Sequence, residues 1–270
     1  MNVTLITGAS GGIGEAIAHQ FAQRKNNLLL IARSTDKLAA LCTVLEKQYG
    51  IRANYLSADL TDREMPEQVY HQIKTKGFEI DTLVNNAGIG SGGEFGTRAL
   101  KEEMDQIQLN VSSLVAFTQL LGIDMKQKRR GTIINIASVV AFMPMPYMAT
   151  YAATKAFVRS FTEAIAQEYK PFNVHVLLFC PGLTKTNFNA AAGLDNDMGK
   201  GLGLSYENAK KILQSPEEVA EELMIALDKK KHVGVSGLKN RIGAALFSIL
   251  PNRWITQVVA KRYRDKVNKK

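Results

Sequence analysis

Apolar residues fall into two alternating patterns along the chain. Short runs rich in Val, Ile and Leu recur at Val3–Thr7, Asn27–Ala32, Ala53–Ser57, Thr82–Asn85, Thr132–Ala137 and Val174–Phe179. Several are bounded by Gly or Asn. Brief, uninterrupted apolar runs predict strands buried on both faces. Between them, Gly12–Arg24, Thr35–Gln48, Asp62–Lys76, Lys101–Lys126 and Thr150–Tyr169 show helical spacing. A further helix is predicted from Pro216 to about Asp228, with Ser215 as its N-cap, and it leads to a seventh strand at His232–Val235. Strand and helix in repeated alternation predict an α/β, doubly wound parallel sheet in three layers. Ligands of such sheets bind outside the carboxyl ends of the strands. The predictions extend to about residue 237 without a linker. Residues 187–215 carry Gly and Asn but no strand signal, and read as a loop over that carboxyl edge.

Composition narrows the class. With 270 residues, 46% hydrophobic and 22% charged, the chain is neither disordered nor a disulfide scaffold. Its two cysteines, Cys42 and Cys180, lack metal-ligand spacing and fit a reducing compartment. The four His are scattered, so no metal site is expected. No apolar run reaches the roughly 18 residues of a membrane span. The opening Met1–Gly8 reads as a strand rather than a leader peptide. These features predict a cytoplasmic protein. The net charge of +9 is local: Asp228–Lys270 holds twelve Lys/Arg against two Asp/Glu, so the first 227 residues are near neutral. A charged tail without a binding fold does not point to nucleic acid.

Three features carry chemistry. Thr7-Gly8-Ala9-Ser10-Gly11-Gly12-Ile13-Gly14 follows a strand and opens a helix. Glycines there allow a tight turn and close backbone approach to a pyrophosphate, which the helix N-terminus attracts. About twenty residues further on, dinucleotide sites place an acid on the adenosine ribose. This chain has Arg33 and Ser34 at that point, a guanidinium and a hydroxyl suited to a phosphate, which predicts NADP(H) over NAD(H). Next, Tyr151-Ala152-Ala153-Thr154-Lys155 sets a phenol and an ammonium one helical turn apart. A positive charge lowers a phenol's pKa, fitting it to pass protons to and from a carbonyl oxygen. Finally, Ser138 directly follows the strand Thr132–Ala137, at the carboxyl edge, where its hydroxyl can meet a substrate oxygen.

Together with Asn85-Asn86-Ala87-Gly88, Asn110 and Pro181-Gly182, these motifs stand in the order and spacing of the short-chain dehydrogenases/reductases. The chain resembles the compact, single-domain branch of that family over about residues 1–235. The resemblance implies a Rossmann fold over 1–237 and a carbonyl reductase or alcohol dehydrogenase activity. It implies Tyr151 as catalytic acid/base, Lys155 as the group that lowers its pKa and binds the nicotinamide ribose, and Ser138 as holder of the carbonyl oxygen. Asn110 matches the position whose helix distortion anchors a water in a proton relay. Gly8, Ser10, Gly12, Ile13 and Gly14 match the pyrophosphate turn, and Asp59 the residue that meets the adenine amino group. Asn86, Ala87 and Gly88 match the adenosine side of the cleft. Pro181, Gly182, Thr184 and Thr186 match the loop that fixes the carboxamide. Family members are mostly dimers or tetramers, so a homo-oligomer is expected.

Two regions keep more than one reading. Val139–Met148, with three Met and two Pro, forms either an apolar wall beside a greasy substrate or ordinary loop packing. In residues 238–270 an apolar stretch, 242–250, precedes Pro251 and a segment in which Trp254, Ile255, Val258 and Val259 share a helical face among basic residues. That extension fits a peripheral membrane contact through 242–270, a partner subunit, or the protein's own body. An apolar ketone, a 3-oxoacyl chain and a steroid-like alcohol all suit the cleft. A non-catalytic dinucleotide sensor, or a membrane-recruited interaction protein on the same fold, is the competing class, and the intact Asn110, Ser138, Tyr151 and Lys155 argue against the sensor.

Overall fold

The computed structural model describes residues 2–193 and 213–267. Strands β1 (Asn2–Thr7), β2 (Leu28–Ala32), β3 (Ala53–Ser57), β4 (Glu79–Asn85), β5 (Gly131–Ile136), β6 (Val174–Cys180) and β7 (Val233–Val235) form one parallel sheet. Their order is β3-β2-β1-β4-β5-β6-β7, the predicted doubly wound arrangement. The chain winds outward from β1 to β3 and then returns to place β4 against β1. A crevice opens at the carboxyl ends where the direction reverses.

Helices α1 (Gly12–Gln23) and α2 (Thr35–Tyr49) cover one face of the sheet. Helices α3 (Met65–Thr75), α5 (Leu114–Lys128) and α6 (Ala149–Tyr169) cover the other. Between α3 and α5 lies α4 (Leu100–Ile107), and Phe188–Ala191 forms a short α7. Near the C-terminus, α8 (Pro216–Asp228) joins the α1 face, and α9 (Leu238–Ile249) and α10 (Asn252–Val267) follow β7. All five residues of β2 are buried, as a strand sandwiched between two helical layers requires. Ser215 caps α8: its hydroxyl accepts the Glu218 N–H at 3.2 Å, and the Glu218 carboxylate accepts the Ser215 N–H at 2.8 Å.

Several boundaries differ from the sequence reading. The predicted helix Asp62–Lys76 begins only at Met65. The carboxylates of Asp59 and Asp62 accept backbone N–H groups of Thr61 and Glu64 at 3.1 and 2.9 Å, holding that stretch in turns. β4 starts earlier, at Glu79, because Glu79 and Ile80 pair with Asn2 and Val3 of β1. The single helix expected over Lys101–Lys126 is instead α4, a π-helical segment Gln108–Ser113 and α5. The 187–215 loop is described only up to residue 193 and from 213; residues 194–212 lie outside the described residues.

Inside the central strands runs a ladder of polar side chains. Asn85 Nδ2 on β4 donates to Asn135 Oδ1 on β5 at 2.9 Å and to Thr118 Oγ1 on α5 at 3.0 Å. Asn135 Nδ2 donates to Thr162 Oγ1 on α6 at 3.0 Å, and that hydroxyl donates to the Val158 carbonyl at 2.5 Å. Each buried amide thereby exchanges water for fixed partners.

The C-terminal extension packs on the body. Glu222 of α8 accepts the Gly237 N–H at 3.0 Å and pairs with Arg241, fastening the start of α9. The face predicted on the next segment is divided. Ile255, Val259 and Tyr263 of α10 turn inward, whereas Trp254 and Val258 are exposed.

Candidate active site

The glycine-rich turn and the loop after β4 are stitched together. Thr7 Oγ1 accepts the backbone N–H groups of Asn86 and Ala87, both at 3.0 Å. Asn86 Nδ2 donates in return to the carbonyls of Thr7 and Gly8 at 2.9 and 3.2 Å. Gly8 has φ +67°, and a Cβ there would stand 2.8 Å from Ala87 Cα, so both conformation and space demand glycine. Gly14 lies against the Gly8 carbonyl. With Gly11 as N-cap, α1 has no capping side chain, and its first N–H groups and positive dipole end face the turn. Ser10 and Ile13 are half-buried in that turn. Across the crevice, a Cβ on Gly12 would meet Thr186 Cγ2 at 3.1 Å. The two rims are that close, and the turn presents bare backbone between them.

At the end of β2, Arg33 and Ser34 are exposed. The Arg33 carbonyl accepts the Ser57 hydroxyl at 3.0 Å. Asp59 lies at the end of β3. Partial burial pushes its carboxyl up, but hydrogen bonds from Thr61 and the charges of Arg33 and Lys101 outweigh this and hold it below the usual carboxylate range.

Ser138, Tyr151 and Lys155 converge at the carboxyl end of β5. Tyr151 is 7% exposed, and the Ser138 side chain stands beside its phenol. Lys155 is 5% exposed, and its Nζ donates to the Ile136 carbonyl at 3.0 Å. The expected acidification of Tyr151 by Lys155 is not found in this arrangement. Burial pushes the phenol up to about 12, against the opposing hydrogen bond from Ser138, and burial pulls Lys155 down to about 8. The ammonium is turned to a backbone carbonyl and sits 5.9 Å from the ring centroid, so desolvation dominates both groups.

Asn110 lies in the π-helical segment, buried. Its Oδ1 accepts the Ile89 N–H at 3.0 Å, and its Nδ2 donates to the Ile89 carbonyl at 2.9 Å and to Thr154 Oγ1 at 3.1 Å. A Cβ on Gly88 would stand 3.2 Å from Asn110 Oδ1 and 3.4 Å from Lys155 Nζ. Gly88, Asn110 and Lys155 therefore share one spot. After β6, Pro181 is buried, and Gly182 donates its N–H to Ser236 Oγ at 3.2 Å and accepts the Thr184 hydroxyl at 3.0 Å. Burial pushes the Cys180 thiol up to about 12, which suits packing rather than redox chemistry.

These positions decide the matter once set beside a sequence model described as short chain dehydrogenase, which matches residues 2–197. The chain belongs to the short-chain dehydrogenase/reductase family. The human 17-beta-hydroxysteroid dehydrogenase type 3 is 36% identical over 187 residues, 67% of this chain and 59% of that protein. The chain thus spans about three fifths of that relative's length. A short-chain dehydrogenase from Sphingobium yanoikuyae in complex with NADPH has TM-score 0.80 at 29% identity, covering 93% of this chain and 97% of its own. A 3-oxoacyl-[acyl-carrier protein] reductase with bound NAD from Brucella melitensis has TM-score 0.71 at 28% identity, covering 87% and 88%.

Some residues around this short-chain dehydrogenase site escaped the sequence reading. Thr154 links Asn110 to the Tyr151 carbonyl, to which its hydroxyl donates at 2.7 Å. Phe188 leans on Tyr151, with ring centroids 5.5 Å apart. Asn240 of α9 fills the space beside Gly182. Tyr263 of α10 stacks on Tyr147 at 3.5 Å. Helical periodicity marks none of them as functional, because each acts through a contact between distant segments.

Proposed function

We propose that this chain is an NADP(H)-dependent oxidoreductase interconverting an apolar ketone, or a 3-oxoacyl-type carbonyl, and the secondary alcohol. The observation that carries the reading is the buried Tyr151 phenol beside Ser138, one turn from the buried Lys155. The glycine turn, Asn86–Gly88 and the 181–186 loop would hold the dinucleotide, which supplies the hydride. A phenol pushed up to about 12 is fully protonated near neutrality, the state needed to protonate a nascent alkoxide. Ser138 polarises the carbonyl and steadies the phenolate left behind. Lys155, with Gly88 and Asn110 beside it, is placed to relay the replacement proton. Met145, Met148, Val140 and Phe188 surround Tyr151, an apolar lining that favours a greasy substrate.

NADPH and NADH consumption with a panel of cyclic, aliphatic and 3-oxoacyl ketones tests this reading. Turnover of at least one ketone with NADPH is expected. Tight NADPH binding without turnover of any ketone would favour the sensor instead. Arg33 is the proposed 2′-phosphate contact, since it stands exposed at the end of β2. Arg33→Ala is expected to raise KM for NADPH about tenfold and leave KM for NADH nearly unchanged. Equal effects on both cofactors would remove that role.

Among the described residues no helix is long and apolar enough to cross a membrane. Leu238, Ile242, Leu246 and Ile249 form an exposed stripe on α9, and Trp254 and Val258 continue it on α10 near Lys261 and Arg262. Apolar side chains flanked by cations suit an anionic lipid surface, and peripheral membrane contact through this face is part of the proposal. The protein should co-sediment with phosphatidylserine vesicles, and Leu246→Glu with Trp254→Glu should abolish this. Equal partitioning of both forms would dispose of the contact. The expected homo-oligomer is likewise proposed, with Ile123 and Phe157, both exposed, as apolar surface for a second copy.

A further inference from the structure

Tyr151 is enclosed by segments from four parts of the chain. Its apolar cluster includes Val140, Met145 and Met148 from the loop after β5, and Phe188 and Ala192 around α7. It also includes Val259 and Tyr263, which belong to α10 near the C-terminus. The loop after β4 ties the first two together, since Gly93 donates its N–H to the Tyr147 carbonyl at 2.9 Å and Gly92 donates to the Ala192 carbonyl at 3.0 Å. The fourth segment enters through aromatic packing. The Tyr263 and Tyr147 rings stack with centroids 3.5 Å apart and planes 19° from parallel.

Tyr147 merits notice on its own account. It is a bulky residue with φ +65°, a conformation that side chains with a Cβ rarely adopt. It stands four residues before Tyr151, just ahead of α6. The left-handed turn is braced on one side by Gly93 and on the other by Tyr263. The family model matches residues 2–197, and α10 lies beyond that match. Its inner residues Val259 and Tyr263, one turn apart, reach the same cluster as the proposed proton donor.

We propose that α10 is the outer wall of the substrate cleft and that Tyr263, seated on Tyr147, is a specificity-determining residue that limits the size of the ketone admitted. This rests on the reading of the Tyr151 cleft as the ketone site. Tyr263 is not a catalytic residue: it acts through the loop that carries Tyr147. Removing its ring frees the outer edge of the cleft, which favours wide substrates over narrow ones. The hydroxyl is dispensable, because stacking requires only the ring.

The test uses the full-length chain with cyclohexanone as the narrow probe and androst-4-ene-3,17-dione as the wide one. Two readouts are taken: kcat/KM with NADPH, and dissociation constants on the NADP⁺-loaded protein by calorimetry. Tyr263→Ala is expected to shift the wide-to-narrow ratio about tenfold towards the dione, with NADPH affinity unchanged. Tyr263→Phe should keep the wild-type ratio. Val259→Trp, which thickens the wall, should shift the ratio the opposite way and serves if the alanine variant fails to fold. Wild-type ratios in both the alanine and tryptophan variants would overturn the proposal. A shifted binding ratio without turnover by any form would support the wall and count against the proton-transfer role of Tyr151, so the two readings fail separately.

Discussion

Tyr151→Phe is expected to lower kcat for ketone reduction about 10³-fold while leaving NADPH affinity within twofold of wild type. The substitution removes one oxygen and keeps the ring, so the contact with Phe188 and the surrounding Met residues survives. The loss is confined to proton delivery, and a positioned general acid is worth about 10²–10⁴-fold. The upper part of that range is unavailable to water here, because Tyr151 is buried and water reaches the nascent alkoxide poorly. Ser138 retains an acceptor role towards the Val140 N–H at 3.4 Å, so its position should hold. Steady-state rates together with NADPH fluorescence titration check the prediction. Turnover at the wild-type rate would end the assignment.

Lys155→Met should produce the opposite pairing of effects: a near-complete loss of turnover and a gain in thermal stability at pH 7. Burial pulls the ammonium from 10.5 down to about 8, so at pH 7 the folded protein holds a charge in a site that disfavours it. A displacement of that size corresponds to about 3 kcal/mol. The hydrogen bond to the Ile136 carbonyl, lost in the variant, returns about 1 kcal/mol. The net gain of about 2 kcal/mol should raise Tm by about 4 °C. The pH dependence gives the sign. Between about pH 8 and 10.5 the unfolded chain binds the lysine proton and the folded chain does not, so wild-type stability rises across that window. The advantage of the methionine variant should therefore shrink from pH 8 upward. Thermal unfolding at pH 7 and pH 10 reads both effects, and a gap that is constant with pH would refute the buried-charge account. Such a lysine is costly to the fold.

Much of this architecture was legible because its signals are local. Buried parallel strands need continuous apolar runs, so Leu28–Ala32 and Val174–Cys180 announce themselves. The α8 start was readable from Ser215 and Pro216, and the N-cap bond forms as expected, with Glu218 completing a capping box that went unread. The glycine turn, Ser138 and the Tyr151/Lys155 pair stand at the ends or on the faces of such elements, and the strand order brings them together. The π-helical segment at Gln108–Ser113 was not readable from periodicity, because it replaces one helical repeat by a slightly wider one inside a continuous apolar pattern. The pKa of Tyr151 was misjudged for a related reason. Spacing shows that Lys155 is near, but only coordinates show that its ammonium is bonded to Ile136 and that both groups are dry. The α10 stripe was split for a third reason: Tyr147, which selects the inward face through Tyr263, lies more than a hundred residues away.

The paired amides of β4 and β5 have one more consequence. Asn85 and Asn135 lie opposite each other in the strand register, and Ser138 and Asn86 follow within three residues. Sliding one strand by a single step would turn that strand's amide away from its threonine and take from the other amide its partner across the register. The ladder therefore proofreads assembly, rejecting a misaligned sheet before any crevice exists to be filled, and so delivers the two lips of the cleft at matching height.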